Sequence, residues 1–109
     1  MPVELGYFTL KVADVERAKK FYAALFGWEY QGAGHVGNTK FPMGLGAGGP
    51  VDASFAYFKV GDIEKTEARV TALGGQVRER GEAPSGKNAV CTDDQGTVFS
   101  LWQPAPGFE

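Results

Sequence analysis

The sequence predicts an α+β domain made of two copies of one strand–helix–strand unit, with mixed sheets and the helices on one face. Three observations predict it. The chain repeats itself without a gap. With Asp14 set on Asp62, 48 positions on, Lys11, Val12, Glu16, Ala24, Leu25 and Gly27 fall on Lys59, Val60, Glu64, Ala72, Leu73 and Gly75. A repeat of that period is one supersecondary unit used twice. Within each copy the apolar spacing changes at the aspartate from strand-like alternation to helical recurrence. Each helical run then stops at glycine, which takes the left-handed cap most easily.

The elements follow in order. Tyr7 to Val12 alternates and reads as a strand. Asp14 can accept a hydrogen bond from the free N–H groups of a helix start, and Glu16 suits the positive end of the helix dipole. Val15, Ala18, Tyr22 and Leu25 recur at helical spacing up to Gly27. Trp28 to Gln31 and Thr39 to Met43 read as short strands. Gly44 to Asp52 holds a glycine-rich edge strand, a loop, or both. The second copy is clearer: a strand over Ser54 to Val60, the Asp62 cap, a helix over Ile63 to Leu73 and the Gly74-Gly75 stop. Strands over Gln76 to Arg80, Ala89 to Thr92 and Thr97 to Gln103 are separated by a loop at Pro84 to Asn88 and a turn at Asp93 to Gly96. Pro104 to Glu109 is a tail.

Composition narrows the function. A chain of 109 residues, 43% hydrophobic and 22% charged, is one domain with a real core. We expect module one at about 5–50 and module two at about 52–104. Net charge is −2 with Lys and Arg scattered, which argues against nucleic acid as a partner. No apolar run approaches the length of a membrane span. The start Met1-Pro2-Val3-Glu4 lacks a signal-peptide pattern, and the single Cys91 fits a reducing compartment, so the expected location is cytoplasmic.

The repeated unit, with Val12-Ala13-Asp14 and Phe21-Tyr22-Ala23-Ala24-Leu25-Phe26-Gly27, then Leu73-Gly74-Gly75 and an aspartate turn before Gly96, resembles the vicinal oxygen chelate superfamily. That group includes glyoxalase I, extradiol dioxygenases, fosfomycin-resistance enzymes and bleomycin-resistance proteins. The resemblance runs from about Tyr7 to Gln103, and within the group it is similar to short bacterial glyoxalase-like proteins. It implies two βαβββ modules whose curled mixed sheets surround a cleft, with the helices on the outer face. It also implies a homodimer.

Metal-using members of that group place His and Glu ligands on the first and last strands of each module. The resemblance puts Tyr7, Phe55 and Ser100 at three of those positions, and the fourth between Gly44 and Asp52. A phenol stays protonated to about pH 10, Phe55 has no donor atom, and a serine hydroxyl is a weak ligand beside imidazole or carboxylate. The chain has one histidine. We therefore expect no metal and no other cofactor.

Other candidates have plainer explanations. His35 reads as a general base or ligand-orienting ring, or as a water-exposed loop histidine, with the loop reading preferred. Cys91 lies on an apolar strand and reads as a small buried hydrophobe. Asp93 and Asp94 read as turn residues bonding their own backbone. Glu64, Lys65, Glu67 and Arg69 read as a solvated helix face. The glycine run from Gly44 lacks the lysine and following helix of a phosphate loop.

The aromatic residues carry the functional expectation. Alternation puts Tyr7 and Thr9 on one face, with Phe55 and Tyr57 on its counterpart. Phe8, Leu10 and Val12, with Ala56, Phe58 and Val60, belong under the helices. The expected function is binding of a small, partly apolar or aromatic molecule in a metal-free cleft lined by Tyr7, Phe55, Ser100, Trp102 and His35. Phe41 and Phe99 have no assigned direction. One alternative is a glyoxalase-family lyase, isomerase or hydrolase using Tyr7, His35 or Ser100. Another is a non-catalytic interaction domain with a filled cleft. Whether a reaction is catalysed stays open.

Overall fold

The computed structural model describes residues 2, 4–52 and 56–109. Its elements run β1 (Phe8–Val12), α1 (Val15–Phe26), β2 (Tyr30–Gln31), β3 (His35–Val36), β4 (Met43–Ala47), β5 (Tyr57–Lys59), α2 (Ile63–Ala72), β6 (Gln76–Ala83), β7 (Gly86–Thr92) and β8 (Val98–Pro104). They form two four-stranded mixed sheets, ordered β1-β4-β3-β2 and β5-β8-β7-β6. In each, the first strand pairs in parallel with the last, and the remaining pairs are antiparallel. This is the expected α+β architecture of two βαβββ modules.

The repeat is visible in the caps. Asp14 accepts from the Arg17 N–H and Asp62 from the Lys65 N–H, each at 3.1 Å. Gly27 ends α1 at φ +73°, its N–H bonded to the Ala23 carbonyl at 2.9 Å. α2 ends through Leu73, and Gly74 takes φ +95°.

The expected core face is the observed one. Leu10 and Val12 are buried, and Phe8, Phe58 and Val60 pack against them. Within this core a group of aromatic rings crosses between the modules. Phe21, Tyr22, Phe26 and Trp28 meet Phe58 and Phe99 with ring centroids between 5.0 and 6.4 Å apart. Polar links run the same way. Buried Asp93 accepts from the Tyr22 hydroxyl at 3.0 Å and from the Gln95 and Thr97 N–H groups at 2.8 and 2.9 Å. Thr97 donates to the Lys11 carbonyl at 3.0 Å.

Several expectations change. The glycine-rich segment holds both a strand and a loop, but the strand is central and not at an edge, because β4 is bonded to β1 on one side and β3 on the other, and residues 48–52 follow it outside any strand. Residues 39–42 lie outside any strand, with bends at 40 and 41, so the strand expected over Thr39 to Met43 begins at Met43 instead. The strand expected over Trp28 to Gln31 shrinks to two residues, since Trp28 is drawn into the aromatic cluster. The loop before Ala89 is short, as β7 already starts at Gly86 opposite Pro104. Of the strand expected over Ser54 to Val60, Tyr57–Lys59 is observed, while Ser54 and Phe55 lie outside the described residues. Glu67 is not solvated: it is 8% exposed and accepts from Arg80 Nε at 2.7 Å. Arg69 stays exposed, as expected, and donates to the Ala24 carbonyl at 2.8 Å, linking the helices. No helix among the described residues is long and apolar enough to cross a membrane.

Candidate functional site

Each sheet turns one face to the core and the other to solvent. On the open face of the first sheet stand Tyr7 just before β1, Thr9 and Lys11 from β1, Gly44 and Gly46 from β4, His35 from β3 and Gln31 from β2. On that of the second stand Tyr57 and Lys59 from β5, Ser100 and Trp102 from β8, and Asn88 and Val90 from β7. Tyr7 is 46% exposed and Tyr57 is 60% exposed. Phe99 points the other way, fully buried, and Phe41 is exposed in the bend before β4.

The structure joins two of the expected residues. The Tyr7 hydroxyl lies 3.0 Å from His35 Nδ1, and the rings stack with centroids 5.8 Å apart and planes 21° apart. His35 is therefore no loop residue in open water. It is half-buried in β3, opposite Gly44. Sequence spacing could not show this, since the partners are 28 positions apart.

Ser100 and Trp102 sit two positions apart on β8, opposite Tyr57 and Lys59. Trp102 is half-buried, while Ser100 is 1% exposed and lies beneath the surface of the open face. No hydrogen bond or ring contact among the described residues joins this pair to Tyr7 or His35. Phe55 lies outside the described residues.

The fourth metal position can now be placed. Thr9 and Tyr57 are equivalent in the repeat; Thr9 pairs with Gly44 and Tyr57 with Ser100. Gly44 therefore stands where Ser100 stands, and it has no side chain. Asp52, the one carboxylate in that stretch, lies beyond β4 and accepts from Arg78 at 2.8 Å. A phenol, a hydroxyl and a glycine do not fit the divalent cation of the metal-using relatives. Among the described residues no three His, Cys, Asp or Glu side chains are grouped to hold an ion.

Elsewhere, a hollow of about 420 Å³ opens between α2 and the β6–β7 hairpin. Four of its charged side chains pair within the chain, Glu67 with Arg80 at 2.7 Å and Glu64 with Lys87 at 3.3 Å, and Glu82 also lines it.

Two βαβββ modules carrying these motifs in this order define the vicinal oxygen chelate class. The chain belongs to the glyoxalase-like domain family, whose sequence profile matches residues 7–102. It is 48% identical over 52 residues to the Mycobacterium bovis protein named "Putative glyoxylase CFP32". That match takes in 46% of this chain and 20% of the relative's length. In fold it is similar to the fosfomycin resistance protein FosX from Listeria monocytogenes, with a TM-score of 0.76 at 18% identity over 97% of this chain and 94% of that one. It is similar also to TnmS3, an antibiotic binding protein from Streptomyces sp. CB03234, with a TM-score of 0.72 at 23% identity over 95% and 98% of the two chains.

Proposed function

We propose that this protein binds a small, partly apolar or aromatic molecule on the open faces of its sheets, without a metal. The carrying observation is the exposure of Tyr7 and Tyr57 there, at 46% and 60%. Aromatic rings left open beside hydrogen-bonding groups suit an amphipathic planar ligand. The antibiotic-binding relative of the same fold supports the reading. Tyr7, His35 and Trp102 are the contacts, Ser100 backs them from below, and Phe55 belongs to the set by its place in the repeat. A second copy of the chain covers the two open faces and completes the cleft, giving a homodimer.

The test follows Trp102, which is half-buried on the open face, whereas Trp28 is 8% exposed in the core. Titration with planar aromatic compounds should change the tryptophan fluorescence, and Trp102→Phe should remove most of the change. Tyr7→Ala should weaken binding by about tenfold, as loss of one aromatic anchor does. Sedimentation should give a dimer that Tyr57→Glu splits. A response that survives Trp102→Phe and Tyr7→Ala places the ligand elsewhere, and a monomer at every concentration removes the second copy.

The Tyr7–His35 hydrogen bond favours a second reading, an acid–base lyase, isomerase or hydrolase. Tyr7→Phe would then abolish turnover while leaving ligand affinity nearly intact.

A further inference from the structure

Three glycines of the first module leave room for polar side chains lying flat on its open face. A β-carbon at Gly44 would sit 2.5 Å from the Tyr7 hydroxyl oxygen, one at Gly37 would sit 2.8 Å from Gln31 Nε2, and one at Gly46 would sit 2.9 Å from the Thr9 methyl. The registers put Thr9, Gly44, His35 and Gln31 in one row across the four strands. Tyr7 crosses that row, its ring passing over Gly44 to reach His35 Nδ1. The missing side chain at Gly44 is what lets the phenol just before β1 meet a β3 imidazole.

The chemistry of the contact sets what the pair can offer a ligand. A neutral imidazole has one bare nitrogen and one N–H, and a phenol hydroxyl can donate its hydrogen. With Tyr7 donating to Nδ1, the ring proton is on Nε2, and among the described residues the chain offers Nε2 no acceptor. Protonation of the ring reverses the bond. Nδ1–H then donates to the Tyr7 oxygen, and the phenolic hydrogen is free to point at the open face. One free donor becomes two, and a positive charge is added.

We propose that Tyr7 and His35 form a donor pair for an oxygen acceptor on the bound molecule, a carboxylate or other oxyanion, and that binding tightens as His35 gains its proton. The proposal rests on the open-face reading above and names the ligand group taken there. Gly44 is the positioning residue. Around the pair, β1 adds the basic Lys11; Glu29 lies just before β2 and Lys40 between β3 and β4. β4 brings only glycine to this face, and β2 brings the neutral Gln31. Lys11 favours an anion in both states of the pair, so the gain on protonation belongs to His35.

Two measurements test this. Ring nitrogen NMR on the free protein at about pH 8, where an imidazole is neutral, should show the His35 proton on Nε2, with Nδ1 shifting in Tyr7→Phe and in Gly44→Ala. A proton on Nδ1, or no shift in either variant, overturns the donor pair. Benzoate and benzylamine are then titrated at about pH 8 and about pH 5.5, on either side of the imidazole range, with backbone amide shifts as the readout. Benzoate should shift Thr9, His35 and Gly44 and bind about tenfold tighter at the lower pH, the scale of one charge-assisted hydrogen bond. His35→Gln should flatten that dependence while keeping a folded amide spectrum. Equal benzoate affinity at both pH values, or benzylamine binding as well as benzoate, overturns the proposal but leaves the open-face site standing. Shifts confined to other surfaces, or none from either compound, overturn both.

Discussion

At the scale of single residues, Cys91 shows how burial decides chemistry. It is fully buried on β7, opposite Val77 and Phe99. Burial, reinforced by the Glu67 carboxylate, pushes its thiol from an ordinary 9.0 up to about 12. Thiolate is then scarce near neutrality, and the thiol is a packing group rather than a nucleophile. Iodoacetamide should leave the native protein unmodified at about pH 8 yet label it fully in urea; native labelling would contradict this placement. Tyr30 is shifted in the same direction, from 10.0 up to about 12, by burial, with its hydroxyl bonded to the Lys19 carbonyl at 3.0 Å. In both groups the fold favours the protonated form, so the unfolded chain loses these protons first. Stability from them is constant below about pH 9 and declines through about pH 12. A urea midpoint that holds to about pH 9 and then falls steadily is the expected profile.

At the scale of elements, the repeated caps give a paired expectation. Asp14→Ala and Asp62→Ala each remove one side-chain acceptor at a helix start. Each should lower unfolding free energy by about 1 kcal/mol, measured by urea denaturation, with Asn in either place restoring most of it. These caps were legible because their signal is local: an aspartate, a helical run and a glycine within a few positions. The strand at β4 was among the expected readings, but its central place was not, because its signal is partly hidden. Met43, Leu45 and Ala47 alternate as a strand should, but the intervening positions are Gly44 and Gly46, and glycine reads as loop. Its burial between β1 and β3 answers the alternation, and the glycines answer the side chains of Tyr7 and Thr9 across it. The Tyr7–His35 contact and the Tyr22–Asp93 bond were illegible for another reason. Their partners are 28 and 71 positions apart, and only the closed fold joins them.

At the scale of the whole molecule, the two modules share one core. α1 belongs to the first module, yet its Phe21, Tyr22 and Phe26 rest against Phe58 and Phe99 of the second. Phe99→Ala should therefore lower stability by about 3–5 kcal/mol, as loss of a large buried ring does. Unfolding followed by circular dichroism and by tryptophan fluorescence should give coincident curves, since a shared core melts once. Separate transitions would mean that each module stands alone. The shared core also sets a timetable for the chain on the ribosome. The aromatic stripe of α1 is synthesised early, but the ring that covers it at Phe99 arrives only at the start of β8, the last strand. At synthesis rates of about 5–20 residues per second, that stripe waits for seconds without its cover. During that interval the nascent first half presents an unsatisfied greasy surface, and holding it apart from its neighbours falls to the cell's chaperones.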